Sequence, residues 1–136
     1  MTTEEKKEIL KSYRVLKSAV KHCELQIAEL ESSVLPKSAN FDGMPHGSDY
    51  ERDLSGWAAK CNELHKKLER TRADMLDAGN RIMDAIKALE DPLEKTVIFE
   101  HYISLKRIEK IARELNYCND KIWKAHSRGV KHIKFN

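Results

Sequence analysis

Apolar residues at Ile9, Tyr13, Leu16, Val20, Cys23, Ile27, Leu30 and Val34 recur at alternating steps of four and three. An unbroken heptad seam of this kind gives a helix one apolar stripe that another helix must cover. Thr2 with Glu5 three residues on is a capping-box signature for its start. Pro36 and the stretch PKSANFDGMPHGSD stop the pattern and predict a loop over about residues 35–48. The pattern then restarts. Ser48 and Glu51 form a second capping-box signature. The second seam is Tyr50, Leu54, Trp57, Cys61, Leu64, Leu68, Thr71, Met75, Ala78, Ile82, Ala85 and Leu89. At about 1.5 Å per residue this segment would reach roughly 60 Å as one helix. Gly56 and Gly79 weaken it, each by about 1 kcal/mol relative to alanine.

Two heptad helices joined by a loop are expected to fold back as an antiparallel coiled-coil hairpin over residues 1–90. The seams match if paired residue numbers sum to about 84, by the heptad alternation. Val34 then meets Tyr50, Leu30 meets Leu54, Ile27 meets Trp57, Val20 meets Leu64 and Leu16 meets Leu68. Cys23 falls opposite Cys61, read as two reduced small hydrophobes rather than a disulfide or metal pair. Val15, Leu25 and Leu35 are apolar but off the seam. A two-helix hairpin buries little surface per residue, so a second copy is expected to complete a four-helix bundle, making a homodimer.

After residue 90 the pattern changes. Asp91, Pro92 and Glu94 read as cap, first helical position and acidic first turn. A short helix through Val97, Ile98 and Tyr102 follows. Ser104 is the expected cap of a helix over about residues 105–115, with Ile108, Ile111, Ala112 and Leu115 inward. The stretch Asn116, Tyr117, Cys118 turns the chain. A final helix to about Lys134 places Ile122, Gly129, Val130 and Ile133 on its buried side. A small residue in the first helix, a three-residue turn and an anchored second helix make helix-turn-helix spacing. The expected fold is therefore all-α: a long hairpin, then a three-helix module over residues 91–136.

Charge separates the same two parts. Residues 91–136 hold ten Lys/Arg and six Asp/Glu, whereas residues 1–90 hold fifteen and sixteen. Residues 119–136 hold five Lys/Arg against Asp120 alone, with His126 and His132. Positive charge gathered on one short element is the footprint of a polyanion partner. No phosphate loop, no nucleophile with a placed base and no paired catalytic carboxylates are recognisable, so an enzyme is not expected. No cofactor is expected. No run of about 18 apolar residues is present, so no membrane span is expected. The stretch MTTEEKKEIL lacks a signal-peptide core, which predicts a cytoplasmic protein.

The stretch from Leu93 to Ile133 resembles region 4 of sigma-70-type transcription factors. Leu93, Val97, Ile98 and Tyr102 match its first helix. Ile111, Ala112, Leu115, Ile122, Gly129, Val130 and Ile133 match the helix pair that follows. The match covers about one third of the chain. With a heptad hairpin before it, the whole layout resembles the small phage-encoded late-operon activators of the RinA/ArpU kind, found in prophages of Gram-positive bacteria. Asn116 stands where that pattern has glycine, and asparagine also tolerates a left-handed backbone. Cys118 stands where a serine cap is usual, which leaves Asn119 as an alternative cap. Gly129 replaces the usual alanine.

The resemblance implies a sequence-specific regulator of phage late genes in the bacterial cytoplasm, binding double-stranded DNA and acting with RNA polymerase. A recognition helix reaches base edges with its early outward residues. Those are Asn119, Asp120, Trp123 and Lys124, with chemistry suited in turn to adenine, to cytosine, to a sugar or a thymine methyl, and to guanine. Arg107, Lys121, Ser127, Arg128, Lys131 and Lys134 are the phosphate candidates. Trp123 has two readings: outward against DNA, or folded onto the core near Tyr117 or Phe99. His126 and His132 are read as polar neighbours of DNA or solvent, not metal ligands. Two further function classes remain: a small terminase-like packaging protein forming a ring, and a protein-only adaptor that binds polymerase or another regulator through the hairpin.

Overall fold

In the computed structural model, the Thr2 N–H donates to Glu5 Oε2 at 2.7 Å and the Glu5 N–H to Thr2 Oγ1 at 3.3 Å. This reciprocal capping box opens α1 (Thr3–Val34). It is followed by α2 (Ser48–Lys87), α3 (Pro92–Ile98), α4 (Ile108–Leu115) and α5 (Asn119–His132). The structure describes residues 1–34 and 48–135, with side chains at 34 and 48–54 left aside. Among the described residues the chain is all-helical, without strands, and no helix is long and apolar enough to cross a membrane. The expected loop before Ser48, Leu35, and the side chains of Val34, Ser48, Tyr50, Glu51 and Leu54 lie outside what is described.

The chain forms two compact units, one of Ser18–Ala73 and one of Met1–Lys17 with Asp74–Asn136. The expected division after residue 90 falls inside the latter.

In the Ser18–Ala73 unit the seam is the inner face. Val20, Cys23, Ile27, Cys61 and Leu68 are buried, and Leu30, Trp57 and Leu64 are half-buried. The helices run antiparallel: Arg72 pairs with Glu24 at 2.9 Å and His65 with Glu31 at 3.6 Å. Cys23 Sγ donates to the Leu64 carbonyl at 3.4 Å, and Trp57 Nε1 to the Leu30 carbonyl at 2.8 Å. Both contacts lie one turn from the expected partners, Cys61 and Ile27. Helical side chains lean toward their own N-terminus. In an antiparallel pair each lean carries the contact to a higher-numbered residue of the other helix. Cys23 and Cys61 are both free thiols. Leu25, off the seam, is 59% exposed.

The other unit has two joined cores. One contains Leu10, Ile82, Ala85, Ile86 and Leu89 from the long helices with Ile98, Tyr102, Val130 and Ile133. The second contains Val97, Ile108, Ile111, Ala112, Ile122 and Ala125. Leu10 and Ile86 are off the heptad seam yet buried, because residues from α3 and α5 cover a second face of α1 and α2 here. Asp91 caps α3 by accepting from the Leu93 N–H at 2.9 Å, with Pro92 at the first helical position.

The helix after α3 begins later than expected. α3 continues through a π-helical turn, Phe99–Ile103, and Ser104 closes that turn, its N–H donating to the Phe99 carbonyl at 3.1 Å, instead of opening the next helix: α4 starts at Ile108, with Arg107 at its cap and no side-chain capping bond. The reason is Leu105, whose φ of 58° is left-handed and breaks helical continuity. That conformation is strained for a bulky side chain. The loop is fixed around it. The Lys106 N–H donates to the Glu100 carbonyl at 3.0 Å, and His101 Nδ1 donates to the Lys106 carbonyl at 2.9 Å.

Candidate nucleic-acid interface

The turn between α4 and α5 is set by Asn116, at φ 59° and ψ 40°. Its N–H bonds the Arg113 carbonyl at 3.3 Å, and the Tyr117 N–H bonds the Ala112 carbonyl at 3.0 Å. This is a Schellman-type end with asparagine doing what glycine usually does. Cys118 then takes the extended cap position of α5 without a side-chain bond. Asn119 does not take over the cap; it is the first helical residue. The helix ends at His132 rather than near Lys134.

α5 has two contrasting faces. Ile122, Ala125, His126, Gly129 and Val130 are buried. Asn119, Asp120, Lys121, Trp123, Lys124, Ser127, Arg128 and Lys131 are all exposed, as are Arg107 and Lys134. Asp120, Trp123, Lys124, Ser127 and Arg128 line one surface depression. The structure thus brings together three of the four base-reading candidates and two of the phosphate candidates. Asn119 lies outside that depression, one residue before Asp120. Lys121 stands over the Tyr117 ring, its Nζ 4.2 Å from the centroid. Lys131 offers its carbonyl to Lys6 Nζ at 2.8 Å, which ties the last turn of α5 to α1.

Trp123 is outward. It is 46% exposed, and its ring meets the His126 ring edge-on at 5.7 Å rather than entering the core near Phe99. His126 is not a neighbour of solvent: it is 7% exposed. Its Nε2 lies 2.7 Å from the Tyr102 hydroxyl, and its ring also meets that of His101 edge-on at 5.2 Å. Burial pushes its pKa down to about 4, helped by the nearby charges of His101 and Lys7. Burial pushes the Tyr102 phenol up to about 12. With the imidazole neutral and the phenol protonated, Tyr102 donates and Nε2 accepts. The outward indole therefore rests on a rigid, uncharged base.

Glu94 stands in the first turn of α3 as the spacing predicts, and nothing in the sequence signals its second role. It reads as a first-turn acid, yet it is 3% exposed. Its carboxylate lies 3.1 Å from His132 Nδ1 and 3.8 Å from Arg128 Nε. Both partners come from α5, so the buried carboxylate anchors that helix to α3. Part of the Arg128 charge is turned toward Glu94, and His132, its side chain 56% exposed, is the expected polar neighbour of solvent while also meeting Glu94. Gly129 lies between those two partners, but nothing in its sequence neighbourhood points to α3. A Cβ there would come within 2.7 Å of Ile98 Cγ1 and 3.5 Å of Glu94 Cβ. At Gly129 α5 lies too close to α3 for a Cβ to fit without a shift.

Lys106, in the loop before α4, is held from both sides by carboxylates. Lys106 Nζ lies 2.7 Å from Glu100 Oε2 and 2.9 Å from Glu114 Oε2. The Glu100 contact is an ion pair out of hydrogen-bond alignment, since Oε2 has no aligned donor. Glu100 and then Glu114 hold the lysine above its ordinary pKa, and Lys106 holds Glu114 below its own. Among the described residues no group of three or more His, Cys, Asp or Glu could hold a metal ion. No protein-family model, no curated protein and no solved structure matches this chain.

Proposed function

We propose that the chain is a sequence-specific DNA-binding transcription regulator, in which α4, the turn at 116–118 and α5 act as a helix-turn-helix. The long helices would form a coiled-coil hairpin that pairs two copies. The observation that carries this reading is the division of α5. One face is wholly engaged in the core, and the other gathers an acid, an indole, a lysine, a serine and an arginine around one depression. Such a mixture is suited to base edges and phosphates together. The left-handed residues Leu105 and Asn116 stand before and after α4, and defined turns at these places support the reading, since base readout requires a preorganised helix. The resemblance to late-operon activators adds the expectation of RNA polymerase as a second partner and the bacterial cytoplasm as the setting.

The test is selection of duplexes from a randomised DNA pool by the full chain, followed by affinity measurement over a range of salt. A selected sequence should bind more tightly than bulk DNA, with affinity falling steeply as salt rises. Lys124→Ala should weaken the selected sequence by about 1–3 kcal/mol and leave bulk binding nearly unchanged. Lys131→Ala should weaken both alike. Equal losses at both positions would move base reading off this face. A large ring with unselective binding would favour a packaging protein instead.

A further inference from the structure

The unit Ser18–Ala73 carries an open groove of about 950 Å³ along one side of its two antiparallel helices. Leu30 from α1 and Leu64 from α2 line it and are only half-buried. Lys60, Lys67 and Arg70 stand exposed along its α2 rim. Their spacing of seven and three follows one helix face, so three cations and Glu63 between them form a net positive stripe parallel to the groove.

Three observations set this groove apart from an ordinary solvated surface. First, the two carbonyls beside the leucines are clamped. Leu30 accepts from Trp57 Nε1 at 2.8 Å and Leu64 accepts from Cys23 Sγ at 3.4 Å, so the groove walls are fixed before anything binds. Second, the rim cations are unspent. Arg72 and His65, on the same helix, pair with Glu24 and Glu31 across the unit, whereas Lys60, Lys67 and Arg70 have no ion pair among the described residues. Third, the charge is unbalanced. Lys66 adds a fourth cation, and Glu29 and Glu63 are the two carboxylates that line the groove.

We infer that this groove is a docking site for an acidic amphipathic helix of another protein. A third helix laid between two antiparallel ones covers the leucines with its own apolar stripe. Its flanking carboxylates then meet the lysine and arginine rim. A DNA backbone would use the cations but leave the leucines uncovered. The occupant that matches both features is apolar on one face and acidic beside it.

The experiment uses the full chain and a synthetic helical peptide of about three heptads, with leucines on the seam and glutamates flanking it. Binding is read by fluorescence anisotropy. The peptide should bind at least tenfold more tightly than a scrambled peptide of the same composition. Replacing Lys60, Lys67 and Arg70 together by glutamate should cost tenfold or more, with the thermal unfolding curve unchanged. A peptide carrying lysines in place of its glutamates should recover binding to that variant. Equal binding of the ordered and scrambled peptides would overturn the proposal, because charge without the groove would then explain it. So would a wild-type dimer that the triple reversal turns into a monomer, which would give the groove to a second copy. So would a loss of affinity for bulk DNA in the triple variant as large as its loss of affinity for the peptide. Each of these readouts stands whether or not α5 reads DNA, so failure here is separate from failure of the regulator reading.

Discussion

Gly129 shows how one missing methyl sets the position of a helix. Alanine is the better helix former by about 1 kcal/mol, so in an isolated helix Gly129→Ala would stabilise. Here the added Cβ would come within 2.7 Å of Ile98 Cγ1 and 3.0 Å of its Cδ1. Ile98 is fully buried and has no room to withdraw. Overpacking a closed core costs about 1–3 kcal/mol, so the clash outweighs the propensity gain. Gly129→Ala is expected to lower stability by about 1–2 kcal/mol in urea unfolding. A gain would mean that α3 and α5 are not so close. Cys118 argues in the opposite direction. It occupies an extended cap position with no side-chain bond, and it is exposed. Cys118→Ser supplies an oxygen to the open N–H groups of the first turn of α5. It should raise stability by about 1 kcal/mol, visible as a higher urea midpoint with an unchanged slope. Asn116 was legible from sequence, because its tolerance of the left-handed region is local chemistry. The role of Gly129 was not, since its reason lies in Ile98 on another helix.

At the scale of elements, heptad spacing made α1 and α2 readable because each described seam position is buried or half-buried. The region after α3 was less readable. Nothing in the letters of residues 99–107 announces a π turn or a leucine at φ 58°; the bonds that hold this segment are made among its own residues, from Lys106 to Glu100 and His101. His126 is the clearest case. A histidine in a basic helix reads as a surface group, yet here it is the buried acceptor of Tyr102. The packing of α5 on the π turn therefore depends on pH. The folded chain holds His126 at about 4, below the ordinary value of about 6.5. Between those values the unfolded chain binds a proton that the folded one refuses, so stability rises with pH in that window. It is fully present above about 6.5 and is lost progressively as pH falls toward 4. The melting temperature should drop by several degrees from pH 7 to pH 4.5. In His126→Gln, where the amide oxygen still accepts from Tyr102, that part of the slope should vanish. A slope equal to that of the wild type would place the titration elsewhere.

For the whole molecule, sequence reading separated a hairpin from a C-terminal module, whereas the contacts join the start of α1 and the end of α2 to α3, α4 and α5 in one unit. The reason was hidden because Leu10 and Ile86 fall beside the heptad seam, where an apolar residue reads as incidental. In the fold they are 0% and 5% exposed. They share a core with Ile98, Tyr102, Val130 and Ile133. A fragment of residues 91–136 would leave that apolar surface open to water. A chain so short has little other core to compensate. The fragment is expected to unfold without a cooperative transition, even though it contains every candidate DNA contact. In the full chain, Leu10→Ala should cost about 2–5 kcal/mol, the range for emptying a closed leucine site. Leu25→Ala, on the same helix but exposed, should stay within about 0.5 kcal/mol of wild type. Urea denaturation of these two variants, beside near-ultraviolet circular dichroism of the fragment, decides the point. If the fragment folds cooperatively and Leu10→Ala is neutral, the C-terminal helices stand alone. If both fail as expected, the face of α5 that carries Trp123 and Lys124 is held in place by the first turns of α1, more than a hundred residues earlier in the chain.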